Sequence, residues 1–120
     1  MKNIVATIPS GRFKTWEAAE EVVRHCDGEG ADKGKERFWT LRMPRPPKQN
    51  LIGSLCYMVG FGQVRGYFDI VDLDLAKNWD RYKEQRPNGF VLVLANWHPL
   101  IDGPEMGGFQ GWRYTNLRPL

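Results

Sequence analysis

The sequence predicts an α+β fold, a small mixed β-barrel flanked by two or three helices, and three observations carry that prediction. An aromatic, β-prone run, Phe38-Trp39-Thr40-Leu41-Arg42, leaves through a proline-rich corner at Pro44, Pro46 and Pro47. Two apolar runs, residues 51–59 and 64–73, flank Gly60-Phe61-Gly62-Gln63, a glycine-rich connection that fits a hairpin. Two further stretches carry apolar residues at helical spacing.

Residues 3–8 read as a short strand ended by Pro9, Ser10 and Gly11. Thr15 then caps a helix whose early acids, Glu17, Glu20 and Glu21, suit the positive end of its dipole. Trp16, Ala19, Val23 and Cys26 give that helix one apolar face, and Gly28 and Gly30 end it. Residues 30–36 are polar and read as a loop within one domain, because 120 residues have room for one core.

In the second hairpin strand, the two-residue period puts Val64, Gly66, Phe68 and Ile70 on one face and Arg65, Tyr67 and Asp69 on the other. Asp74 is placed to cap a second helix in which Leu75, Trp79 and Tyr82 form a stripe, stopped before Pro87. Residues 90–97 are the most apolar strand and are expected near the sheet centre. The stretch from Met106 onward holds Phe109, Trp112 and Tyr114 with Arg113 and Arg118 and no acid.

Composition narrows the function classes. Hydrophobic residues make up 42%, enough for a packed core. Cys26 and Cys56 form neither a C-x-x-C pair nor a zinc-ligand pattern, so no disulfide scaffold, metal or cofactor is expected. No apolar run approaches membrane-spanning length and no signal-peptide core develops, which predicts a cytoplasmic protein with no membrane partner. The net charge is only +3, so local distribution matters more than the total. Residues 37–67 contain Arg37, Arg42, Arg45, Lys48 and Arg65 without an Asp or Glu.

The order of these elements, from Phe38-Trp39-Thr40-Leu41-Arg42-Met43-Pro44 through the hairpin to a late apolar strand, resembles the PUA-like superfamily over residues 37–114, in particular its EVE and ASCH branches. Against the ASCH pattern G-x-K-x-x-E-x-R, Arg37 stands for the lysine, Thr40 for the glutamate and Arg42 for the arginine, with the glycine displaced by one position. The resemblance implies one PUA-like domain over residues 1–120, residues 1–30 being a strand-helix extension, and a cleft beside the barrel that binds RNA or a modified base.

Three function classes follow. In the leading one, a non-catalytic module binds RNA or single-stranded nucleic acid. Arg37, Arg42, Arg45, Lys48, Arg65 and Arg113 meet phosphate or a base edge, and Trp39, Tyr67, Trp112 and Tyr114 supply stacking faces. The bland reading of the same residues is a solvated basic surface and a core of aromatics. An ASCH-like hydrolase or nuclease, with Arg37, Thr40, Arg42 and Tyr67 as its polar groups, is the second class. A small protein-binding inhibitor or adaptor, of phage origin, is the third. His25 and His98 read as structural, and Asp69, Asp72 and Asp74 as a polar strand edge leading to a cap. Oligomeric state is not legible.

Overall fold

The computed structural model describes residues 2–9, 11–28 and 37–119. Six strands, β1 (Asn3–Thr7), β2 (Trp39–Met43), β3 (Leu55–Gly60), β4 (Gln63–Leu75), β5 (Phe90–Pro99) and β6 (Trp112–Thr115), form one sheet in the order β2-β5-β4-β3-β1-β6. The β1–β3 pair is parallel and the other neighbours are antiparallel, so the sheet is mixed. It curls into a half-barrel, with a single α-helix among the described residues, α1 (Trp16–Arg24).

Thr15 caps α1 by accepting from Ala18 N at 3.2 Å, and Ala19 and Val23 turn inward as their spacing requires. The helix stops at Arg24, four residues before Gly28. Gly28, at φ 71, instead donates to the Arg37 carbonyl while Asn96 N donates to the Cys26 carbonyl. The chain after α1 therefore closes onto β5 where β2 no longer covers it. The polar loop at 30–36 and the Gly30 stop lie outside the described residues.

The expected second helix is absent, which leaves one flanking helix where two or three were predicted. Strand β4 continues through Leu75, and only a single 3-10 turn, Ala76–Asn78, follows before a run of turns. Asp74 caps these turns: its carboxylate accepts from Leu75 N, Asn78 Nδ2 and Trp79 Nε1. Trp79 and Tyr82 are buried, as their stripe requires, but they pack on Val91 and Val93 of β5 from a turn. A spacing of three residues fits consecutive turns as well as a helix.

Both sheet faces are covered. On the inner face, toward α1, Ile4, Ala6, Cys56, Met58, Phe68, Ile70, Leu92 and Leu94 pack with Ala19 and Val23. On the outer face, Trp79 and Tyr82 cover one end, and Leu100, Met106, Phe109 and Leu117 cover Val5, Tyr57, Val59 and Val64 at the other. This explains why β5 is buried without interruption from Val91 to Ala95. Strand β5 has partners on both sides, and β1 lies within the sheet between β3 and β6.

Three β-bulges break the strict alternation read from sequence, one of them between Ile70 and Asp72 of β4, where Val71 is the extra residue against β5. Met58 pairs with Gly66 but Val59 pairs with Val64, leaving Arg65 as the extra residue. Where β4 pairs with β5, Tyr67 pairs with His98 but Asp69 pairs with Ala95, and Asn96 takes φ 60. Arg65 consequently turns inward, away from Tyr67 and Asp69, and Val64 packs on the outer face, away from Phe68. The bulge in β5 likewise turns Trp97 inward and His98 outward.

Gly66 lies directly under the Trp97 ring and the His98 carbonyl, with no room for a methyl group. Gly66→Ala is expected to cost about 3 kcal/mol of stability through overpacking, read as a lowered midpoint in urea unfolding. Cys26 and Cys56 are both buried and neither is in a disulfide, and burial pushes the Cys56 thiol far up. Neither thiol should react with Ellman's reagent in the native protein at pH 8, and both should react on unfolding.

Candidate nucleic-acid interface

The bulges and the start of α1 together build one continuous aromatic row on the inner face. Trp39 stacks on Phe68 with ring centroids 6.2 Å apart, Phe68 meets Trp97 edge-on at 4.9 Å, and Trp97 meets Trp16 at 6.1 Å. A guanidinium lies over each end: Arg12 is 4.9 Å from the Trp39 ring centroid and Arg65 is 5.1 Å from that of Trp16. Trp39 and Phe68 form the buried floor, while Trp16 and Trp97 are partly exposed.

Arg65 is fixed by its own hairpin. Its Nε donates to the Gly60 carbonyl at 2.8 Å, and its Nη2 lies 3.4 Å from the Phe61 carbonyl. Trp97 Nε1 is closed from solvent and has no hydrogen-bond partner among the described residues. That costs about 1–3 kcal/mol, so packing and not a hydrogen bond holds the ring. Glu17, Glu20 and Glu21 on α1 make the outer side of the helix acidic and bound the row on that side.

The other sequence-predicted residues are spread over the sheet. Arg37 pairs with Asp27, its Nε donating at 2.8 Å. Arg42 turns to the opposite face from Trp39 and donates to the backbone carbonyls of Arg86 and Asn88. On the same face, the Thr40 hydroxyl is 2.9 Å from that of Tyr82. Arg45 and Lys48 are exposed on the loop after β2, and Lys48 borders a recess of about 230 Å³ floored by Leu51, Leu73 and Leu92. At the β6 edge Trp112 meets Tyr114 edge-on at 5.1 Å, and Arg113 lies over Phe109 at 4.1 Å. The structure thus brings Trp39 and Arg65 to opposite ends of one row and leaves the remaining candidates outside it.

Tyr67 belongs to a second cluster, on the outer face. Its ring stacks on His98 at 4.7 Å and 16°, and His98 Nε2 lies 3.2 Å from Asp69 Oδ1. Asn96 Nδ2 donates to the other Asp69 oxygen at 3.1 Å. Beneath them the Tyr57 hydroxyl is buried and unpartnered; its burial, and secondarily the Tyr67 phenol, hold its pKa above the ordinary value. These contacts link β4 and β5 on the outer face.

Arg12, Trp16 and Trp97 escaped the sequence reading. Trp16 passes for an ordinary core position of an amphipathic helix, and the inward turn of Trp97 needs the bulge at Asn96. Scans against protein-family models, curated proteins and solved structures each find no match to this chain.

Because Arg42 satisfies two carbonyls, Arg42→Met should lower unfolding free energy by about 1 kcal/mol in a denaturant melt. An unchanged midpoint would mean that these hydrogen bonds contribute nothing net.

Proposed function

We propose that this chain is a non-catalytic module of the PUA-like kind that binds single-stranded nucleic acid, RNA foremost, along the aromatic row. The observation that carries this reading is the row itself: four rings in succession with an arginine over each end. Indole faces accept any base, at about 1–3 kcal/mol per stacked base, and a base can reach them only from a strand whose bases are unpaired. Trp16 and Trp97 are the rings with exposed surface, so they take the bases. Trp39, at 7% exposed, supports Arg12 from below.

The guanidiniums supply the phosphate contacts. The Arg65 guanidinium, its face on Trp16 and its Nε and Nη2 on the hairpin carbonyls, is held in place to present its positive charge to a backbone phosphate. The acids of α1 repel a polyanion, which directs the strand to the side of the row formed by Arg12 and the β3–β4 hairpin. The curled mixed sheet also supports the PUA-like assignment, since a small barrel is the framework those domains share.

Fluorescence anisotropy with a labelled 12-nucleotide RNA tests the proposal. Replacing Arg12 and Arg65 by alanine should weaken binding at least tenfold. With about 0.7 counterions released per phosphate contact on a single strand, the slope of log K against log salt should fall by about 1.4. Unchanged affinity in a double variant that retains the native circular-dichroism spectrum would overturn the reading.

A further inference from the structure

At the end of the sheet formed by the β3–β4 hairpin, two turns place large apolar side chains in water against local conformational preference. Phe61 occupies the first of two positive-φ positions, at φ 52, and is 47% exposed. The positive φ of Phe61 and Gly62 is that of a type I′ turn, which favours Asn, Asp or Gly where Phe61 stands. Ile101 is 91% exposed and is followed by Asp102 at φ 55. Neither side chain belongs to a core cluster, and the hairpin backbone at Phe61 is strained to hold it there.

The two tips form one rigid body. Val64 N donates to the Pro104 carbonyl at 2.8 Å, Leu100 N to that of Arg65 at 2.9 Å, and Met106 N to that of Gly62 at 3.0 Å. Gln63 Nε2 donates to the Gly103 carbonyl at 2.8 Å. Gly103 sits so close to the Val64 carbonyl that no Cβ fits.

We infer that Phe61 and Ile101 are a two-point apolar anchor that seats in an apolar pocket of a protein partner whose rim carries lysine or arginine. Charge fixes the rim: Asp102 and Glu105 expose carboxylates on the loop that presents Ile101, while Arg65 is turned back onto the Gly60 and Phe61 carbonyls. The same carboxylates oppose an anionic lipid surface, and two side chains fall short of the paired signals that stable lipid anchoring takes. A pre-ordered anchor loses little freedom on docking, and a few buried apolar side chains at the centre of an interface carry most of its affinity. This surface adjoins the Arg65 end of the aromatic row, since the Gly60 and Phe61 carbonyls hold that guanidinium.

The experiment places benzoylphenylalanine at position 61, and separately at 101, in the full chain, with irradiation in the cells that produce it. The inference requires the same single protein in both adducts, with a cross-linked segment that is apolar and flanked by Lys or Arg. Combining Asp102→Lys with Glu105→Lys should then reduce both adducts at least fivefold without changing the melting temperature. Phe61→Asn should raise the melting temperature by relieving the turn while abolishing the adduct from position 101. A homodimer adduct, a set of unrelated proteins, adducts indifferent to charge reversal, no adduct, or co-sedimentation with phosphatidylserine vesicles would each overturn it.

Discussion

The aromatic row depends on two β-bulges, one at Arg65 of β4 against β3 and one at Asn96 of β5 against β4. A strand without a bulge alternates its side chains strictly, so the inward position of Leu94 would carry inward to Asn96 and His98. One extra residue at Asn96 shifts that phase and sends Trp97 inward; one extra residue at Arg65 does the same for its guanidinium. Asn tolerates the left-handed conformation better than most residues, and Gly66 leaves the space that the Trp97 ring occupies. Without these local choices the row would lose one indole and one of its terminal arginines.

The remainder of the chain supports that phase shift. Trp79 and Tyr82 press on Val91 and Val93 from the outer side, and the segment around Leu100, Met106 and Phe109 presses on Tyr57 and Val59. Each bulge thus lies in a sheet packed on both faces, where a slip of register would expose apolar side chains along several strands at once. The Asp69 carboxylate, accepting from Asn96 and lying against His98, ties the bulged segment of β5 back to β4.

Much of the framework was legible because it rests on local rules. Thr15, the Ala19 and Val23 spacing, the glycine-rich connection of the hairpin and the unbroken apolar run in β5 each have a nearest-neighbour cause. Strand β6 was not legible, since Trp112–Thr115 is short and its partner, β1, lies more than a hundred residues earlier. The helix read from Leu75, Trp79 and Tyr82 failed for a related reason: their spacing records burial against β5, which turns achieve as well. The acid-free stretch from 37 to 67 was read correctly as sequence, but alternation and the Arg65 bulge distribute its cations over two faces. Arg42 goes to one face, held by carbonyls, and Arg65 goes to the other. Bulges have only weak sequence signals, here a glycine beside one and an asparagine at the other, so the row they assemble could not be read in advance.

The proposed interface requires that the inner-face indoles, and not the tryptophans elsewhere, receive the single strand. The five tryptophans, Trp16, Trp39, Trp79, Trp97 and Trp112, give five indole N–H signals in a nitrogen–proton correlation spectrum. On titration with a short single-stranded RNA at low salt, the Trp16 and Trp97 signals should shift together, with Trp79 stationary, and the shifts should disappear as salt is raised. Shifts confined to Trp112, or five signals that never move, would contradict it.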